Sequence, residues 1–128
     1  MPEVEVRKII NVFNRMNPGG GATDKFTTQI HVDFIPDEVL INVENYYNPG
    51  GDAAGLVVLY SDIVNDNITS FKTTQVFRGS QTIWKLDKQI KGSFTFSFQD
   101  VLSQPYNLNG DIHIVLDFIK YKQKGKIL

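Results

Sequence analysis

The stretch KFTTQIHVDF, residues 25–34, alternates between two kinds of side chain over its whole length. The mostly apolar set on one side consists of Phe26, Thr28, Ile30, Val32 and Phe34. A period of two sustained over such a run predicts a β-strand with one buried face. Such a strand is not stable alone, so its apolar face requires a second sheet to cover it.

The next segment predicts a corner followed by a second strand. Residues 35–38 have the sequence Ile-Pro-Asp-Glu, and a second alternating run follows at residues 39–47. Pro36 presets the backbone angle for a turn, and Asp37 can hydrogen-bond its own backbone. The sequence therefore predicts two apolar-faced strands joined at a tight corner.

Six further segments have the pattern of strands: residues 2–13, 56–60, 68–77, 82–86, 93–99 and 112–121. A short helix over residues 6–16 is the alternative for the first of them, and the adjacent Ile9 and Ile10 predict a bulge or register change there. Arg78-Gly79-Ser80 predicts a turn, and the glycine-rich residues 17–24 predict a mobile connection that tolerates insertion.

This strand spacing predicts an all-β protein, an antiparallel sandwich or barrel. We expect a single antiparallel β-sandwich of about eight strands, because eight strands in two sheets is the jelly-roll number. We expect one domain over residues 1–128, with a basic C-terminal tail from about residue 119.

Composition excludes several classes of protein. The chain has no cysteine, which excludes disulfides and thiolate metal sites. Its 13 Lys and Arg nearly balance 14 Asp and Glu, which argues against a surface devoted to nucleic acid. We expect no signal peptide in residues 1–15 and no membrane insertion, because no long apolar run occurs.

No motif in the sequence predicts a reaction. His31 and His113 lie on separate strands, where an exposed or rim histidine is favoured over a metal ligand or general base. Asp62, Asp66 and Asp111 lie in predicted turns, where solvated loops are favoured over a calcium site. The serines lack the context of an activated nucleophile. We therefore predict a protein that is not an enzyme, with no catalytic, cofactor or metal site.

Two groups of residues are candidates for a partner interface. The aromatic group is Tyr46, Tyr47 and Trp84. Adjacent tyrosines on a strand point to opposite faces, so one of them is available for a partner or a sugar, whereas Trp84 also suits the core.

The second group is basic: Lys120, Lys122, Lys124 and Lys126, with no acid after Asp117. Alternate lysines on an extended chain face one way. They either protect a strand edge from pairing or bind a negatively charged partner. That partner is either DNA, bound weakly, or an acidic protein surface.

Two groups of motifs resemble a known family. The first is FIPDEVLINV at residues 34–43, followed by Tyr-Tyr-Asn at 46–48. The second is GSFTF at 92–96, followed by LNGDIH at 108–113 and LDFIKY at 116–121. Together they resemble the small jelly-roll minor capsid and penton-type proteins of large double-stranded-DNA viruses and virophages. In that family a Pro-Asp-x-Val corner starts a sheet strand, and the final strand carries an apolar-acid-Phe pattern.

The resemblance implies a structural virion protein: a minor capsid, penton-like or cement component that acts through self-association and docking to other capsid subunits. It implies a homo-oligomer that is made in the host cytoplasm and found in the virion. If the protein is not viral, we expect it to be cytoplasmic. Oligomers of closed symmetry would also cover the open edges of a lone sandwich. The alternative function is a non-catalytic carbohydrate- or ligand-binding module that uses exposed aromatics such as Tyr46 or Trp84.

Overall fold

The computed structural model describes residues 3–13, 24–45, 56–72, 77–106 and 112–123. Within these ranges the chain forms eight strands: β1 (Val4–Phe13), β2 (Lys25–His31), β3 (Glu38–Asn45), β4 (Leu56–Ser61), β5 (Asp66–Lys72), β6 (Phe77–Lys85), β7 (Lys91–Gln99) and β8 (Ile112–Tyr121). The described residues form no helix, so none that could cross a membrane is found among them. The prediction of an all-β sandwich is confirmed.

The strands form two four-stranded antiparallel sheets. The first sheet has the order β1-β8-β3-β6, and the second has the order β2-β7-β4-β5. Four antiparallel pairs build the sandwich: β1 with β8, β2 with β7, β3 with β6, and β4 with β5. The pairs alternate between the two sheets, as in one long hairpin that is rolled up. This is the strand order of a jelly roll, and it leaves β1, β6, β2 and β5 as edge strands.

The predicted corner at residues 35–38 carries the chain from the second sheet to the first. Its anchor is Asp37, whose backbone N–H donates to the carbonyl of Ile119 at 2.8 Å and whose carbonyl accepts from Leu86 N–H at 2.8 Å. The carboxylate of Asp37 accepts from the N–H of Tyr121 at 2.8 Å, rather than from its own backbone as expected. The corner is therefore fixed by β8 and by Leu86, the residue that follows β6.

The core lies between the sheets and is formed by the alternate apolar residues of each strand. In β8 the inward side chains are those of Ile112, Ile114, Leu116 and Phe118, as predicted, and all are fully buried. In β7, Phe96 and Phe98 are buried, whereas Phe94 is only partly buried against the same core. Phe26 of β2 stacks on Phe96, with ring centroids 5.2 Å apart.

Two local predictions are wrong. Residues 78–80 do not form a turn but lie inside β6, because they pair with the end of β3; a register shift between Val43 and Glu44 accommodates Gly79 there. The irregularity in β1 lies between Val4 and Val6 rather than at Ile9 and Ile10. The predicted mobile connection at 17–24 lies outside the described residues except for Asp24.

A candidate association face on the first sheet

The first sheet carries an unusual set of side chains on the side that faces away from the core. In β8 the even-numbered residues 112–118 point inward, so the odd-numbered ones and their cross-strand partners point outward. We call this set the outer face: Arg7, Ile9, Asn11 and Phe13 of β1; His113, Val115, Asp117 and Ile119 of β8; Glu38, Leu40, Asn42 and Glu44 of β3; and Gln81, Ile83 and Lys85 of β6.

Large apolar side chains on the outer face are open to solvent. Ile83 is 64% exposed, Ile9 is 55% exposed and Phe13 is 45% exposed. Ile83 of β6 lies directly opposite Leu40 of β3, whereas Asp117 of β8 separates Leu40 from Ile9 in the same cross-strand row. Solvated faces of antiparallel sheets are normally polar, so exposed apolar side chains of this size are typical of a surface that contacts another molecule.

His113 is the centre of a small cluster at one end of the outer face. Its ring stacks on Phe13, with centroids 4.3 Å apart and an interplanar angle of 5°. Its Nε2 lies 2.9 Å from Asn11 Oδ1, and its Nδ1 lies 3.7 Å from Glu44 Oε2. The histidine therefore links β1, β8 and β3, and it is held by its neighbours rather than standing free at the rim.

The centre of the outer face contains two buried acceptor atoms. Asp117 Oδ2 lies 3.4 Å from the guanidinium of Arg7. Asp117 Oδ1 and Asn42 Oδ1 are buried, and neither has a hydrogen-bond partner within the part of the chain that the structure describes. Buried polar atoms are normally paired, so these two oxygens require an explanation.

At the opposite end, Tyr121 closes the outer face against Glu38. The Tyr121 hydroxyl donates to Glu38 Oε2 at 2.7 Å. This hydrogen bond raises the pKa of the Tyr121 hydroxyl, and desolvation and the negative charge of Glu38 act in the same direction. The pair joins the ends of β8 and β3.

The predicted basic tail is partly neutralised in the structure. Lys120 Nζ lies 3.7 Å from Glu5, and Lys122 Nζ lies 3.4 Å from Glu3, both on or beside β1. These four side chains are well exposed, so each pair contributes little to stability. Glu5, Lys120, Lys122 and Gln123 line a shallow depression of about 510 Å³. Lys124 and Lys126 lie outside the described residues.

The idea that the lysines protect an edge is wrong for Lys120. Its strand, β8, lies between β1 and β3 and has no free edge. Lys120 and Lys122 lie beside Glu5 and Glu3, and binding of a negative partner by the tail stays a prediction.

The aromatic candidates are placed only in part. Tyr46 and Tyr47 lie outside the described residues. Trp84 is partly buried and packs against the core, where it lies opposite Val39, and its Nε1–H donates to Thr82 Oγ1 at 2.8 Å. Its position suits the core packing considered from the sequence, and its role at an interface stays a prediction.

The outward side of the second sheet is polar. Thr27 of β2 lies opposite Thr95 of β7 with their hydroxyls 3.2 Å apart, and Gln29 donates to Ser93. The outward side of β4 is the exception, because it carries Leu56, which is 40% exposed, and the partly buried Val58 and Tyr60. Tyr60 lies beside Ser97 and Asn67. The outward surface of the second sheet therefore combines polar groups on β2 and β7 with apolar groups on β4.

The carboxylates and the histidine that were weighed as metal ligands, and disfavoured, have other partners. Asp62 Oδ1 accepts from the N–H of Thr95 at 2.8 Å, and Asp66 Oδ1 accepts from the N–H of Asn67 at 2.7 Å. His31 is exposed and lies 3.4 Å from Asp33. In the described ranges, no three His, Asp or Glu residues are grouped so as to hold a metal ion, and Asp111 lies outside those ranges.

Comparison with known proteins gives only distant likenesses. No protein-family model matches the chain, and no curated protein matches it in sequence. Among solved structures it is similar to the C-terminal domain of EclA, described as a sugar-binding protein, with 16% identity over 88% of this chain and 79% of that one and a TM-score of 0.41. It is also similar to the P-domain of Macrobrachium rosenbergii nodavirus, with 13% identity over 96% of this chain and 100% of that one and a TM-score of 0.39. Both likenesses concern the β-sandwich alone.

Sequence reasoning missed the outer face as a candidate site. From the sequence, Ile9 indicates only a bulge, and Ile83 is only one residue of a predicted short strand. The available signal was that Ile9 and Ile10 are adjacent: on a regular strand, adjacent side chains point to opposite faces. One of the two isoleucines is therefore expected to face away from the core.

Proposed function

We propose that this chain is a structural protein of a virion, a minor capsid, penton-like or cement component that works by self-association and by docking to other capsid subunits. The observation that carries the proposal is that three large apolar side chains, Ile9, Phe13 and Ile83, are exposed on the outer face of the sandwich. The jelly-roll strand order is compatible with this role, because viral capsid domains use that architecture, although lectins use it too.

The proposal assigns no reaction to the chain. Of the groups with catalytic potential, His113 is held by Asn11 and Glu44. The hydroxyl of Ser61, which is buried, accepts the N–H of Ile63 at 3.1 Å. These groups are used within the fold, which supports a protein that is not an enzyme.

The proposed partners are further copies of this chain and other capsid proteins. The proposed location of the chain is the virion, after synthesis in the host cytoplasm. Contact of the tail with DNA is proposed only as weak, because Lys120 and Lys122 lie beside Glu5 and Glu3. Lys124 and Lys126 carry the remaining positive charge of the tail. A protein surface with carboxylates is therefore the better supported partner.

A second candidate function is carbohydrate binding. Tyr60 favours it, because this partly buried aromatic ring lies among hydroxyl and amide side chains on the outward side of the second sheet. Aromatic rings with polar neighbours are suited to contact a sugar ring. This surface is distinct from the outer face of the first sheet, so the two functions can be tested separately.

The test of the main proposal replaces the exposed isoleucines by threonine, which keeps the β-branched shape. Ile9→Thr with Ile83→Thr is expected to weaken self-association in sedimentation experiments without lowering the melting temperature. Ile35→Thr is the matched control, since Ile35 is also 55% exposed but lies at the β2–β3 corner, outside the outer face. Equal association of wild type and the double variant would count against the outer face.

A further inference from the structure

Strand β1 forms a long free edge of the first sheet. It spans ten residues, Val4–Phe13, and among the described strands it pairs only with β8. Four large apolar side chains of β1 are open to solvent: Val4 (42%), Val6 (36%), Ile9 (55%) and Phe13 (45%). The strand contains neither proline nor glycine. A long apolar edge of this kind presents backbone groups that can pair with a strand of another chain.

The charged side chains of β1 do not guard this edge. Arg7 and Glu5 form ion pairs with side chains of β8, at 3.4 and 3.7 Å. The Nζ of Lys8 donates to the carbonyl of His31, at the end of β2, at 3.0 Å. Natural proteins often protect a free edge with charges that an added strand would bury. In β1 the charges are held by strands of the same chain, so the edge is left open to pairing.

A second copy of the chain suits this edge, because β1 is complementary to itself. The regular part of the strand begins after the irregularity between Val4 and Val6 and continues to Phe13. Directly opposite residues of an antiparallel pair point to the same side of the sheet, so a two-fold axis lies between one residue and its own copy. An axis at Arg7 or Lys8 would place like charges opposite each other, which is unfavourable.

An axis at Ile9 brings together residues of like character. Ile9 then lies opposite Ile9 of the second copy, and the two exposed side chains cover each other. Arg7 lies opposite Asn11 of the second copy, so the neighbouring pair is polar on both sides. An axis one residue later would place the apolar Ile9 opposite Asn11. Lys8 lies opposite an aliphatic residue in both registers and does not distinguish them.

We propose that two copies of the chain pair through β1, antiparallel and about a two-fold axis at Ile9, so that their first sheets become one continuous sheet. This inference rests on the proposed function, because it specifies how the copies self-associate. The strand order becomes β6-β3-β8-β1 followed by β1-β8-β3-β6 of the second copy. The pairing extends from Val6 to Val12 on each copy. It joins the two outer faces and leaves Ile83 exposed at both ends for docking to other subunits.

The first test introduces a single cysteine, since the chain contains none. Opposite residues of an antiparallel pair have Cα atoms about 4.5–5.5 Å apart, a separation that a disulfide spans. Ile9→Cys is therefore expected to form a covalent dimer under mild oxidation, visible on a non-reducing gel. Ile83→Cys is the matched control, because Ile83 is 64% exposed on the same face but lies on β6, and it should remain largely monomeric on the gel.

The second test places charges on the axis and measures self-association by sedimentation velocity. Ile9→Lys is expected to raise the dissociation constant about tenfold or more, whereas Ile83→Lys should change it less than about threefold. Both side chains are exposed, so both variants should fold like the wild type by circular dichroism. An equimolar mixture of Ile9→Lys and Ile9→Asp should recover the dimer, because opposite charges then meet on the axis.

The outcomes separate this inference from the function on which it rests. An Ile9→Cys variant that does not cross-link, or that cross-links no more than Ile83→Cys, overturns the pairing through β1. An unchanged dissociation constant for Ile9→Lys also overturns it but leaves the proposed function, since the copies then associate through another surface. A wild-type chain that neither self-associates nor binds capsid subunits overturns both.

Discussion

Removal of the Phe96 ring is the sharpest test of how the two sheets are held together. Phe96 is fully buried in β7, an internal strand of the second sheet, between Phe26 of β2 and Ser61 of β4. Phe96→Ala removes the ring from the core and leaves a cavity, which typically costs 3–5 kcal/mol. The stacked ring of Phe26, with its centroid 5.2 Å away, loses its partner as well.

These terms predict a loss of about 4 kcal/mol in the free energy of unfolding. For 128 residues the entropy of unfolding is about 0.27 kcal/mol per kelvin, so the melting temperature should fall by about 15 °C. Urea denaturation followed by circular dichroism measures the loss. Phe13→Ala is the control, because Phe13 is 45% exposed and should lose only about 1 kcal/mol. A loss below about 1 kcal/mol for Phe96→Ala would refute the strand register described above.

Three further predictions concern local features. Ser61→Ala should lose about 1–3 kcal/mol in urea denaturation, because the N–H of Ile63 loses its acceptor; a wild-type midpoint would contradict this. The raised pKa of Tyr121 keeps the hydroxyl protonated in the folded protein at pH values where an unfolded tyrosine ionises. The contribution of this hydroxyl to the free energy of unfolding is therefore complete below pH about 10 and is lost as pH rises through the folded-state pKa. Across that pH range the melting temperature of Tyr121→Phe should fall less than that of wild type, and an equal fall in both would show that the hydrogen bond to Glu38 is unimportant. Doubling the connection at 17–24 with Gly-Ser residues should lower the melting temperature by only about 2 °C, since it costs about 0.6 kcal/mol, and failure to fold would mean that the connection is packed.

Most of the fold could be predicted from the alternation of apolar and polar residues with a period of two. Alternation identified the inward side chains of β8 and the buried residues Phe26, Ile30 and Val32, because burial of one sheet face imposes that pattern directly. The predicted end of β5 and the predicted start of β6 both lie later in the chain than in the structure, because Arg78-Gly79-Ser80 has the composition of a turn. Pairing with β3 overrides that local preference, and such pairing depends on residues far away in the chain.

The candidate site was much less predictable. Alternation shows that Ile83 faces away from Trp84, but it does not show which strands lie beside β6. Only the strand order β1-β8-β3-β6 brings Ile9, Leu40 and Ile83 into one row and sets Asp117 beside Asn42. The partners of Lys120 and Lys122 depend on the same pairing, since Glu3 and Glu5 are more than a hundred residues earlier.

Native mass spectrometry of the wild-type chain over a range of concentrations tests most directly whether the sandwich works by association through protein surfaces, with an oligosaccharide panel titrated in parallel. We expect a defined oligomer that forms with increasing concentration and has no affinity for the sugars. A chain that stays monomeric at every concentration and binds an oligosaccharide would contradict it and would assign the function to the surface around Tyr60.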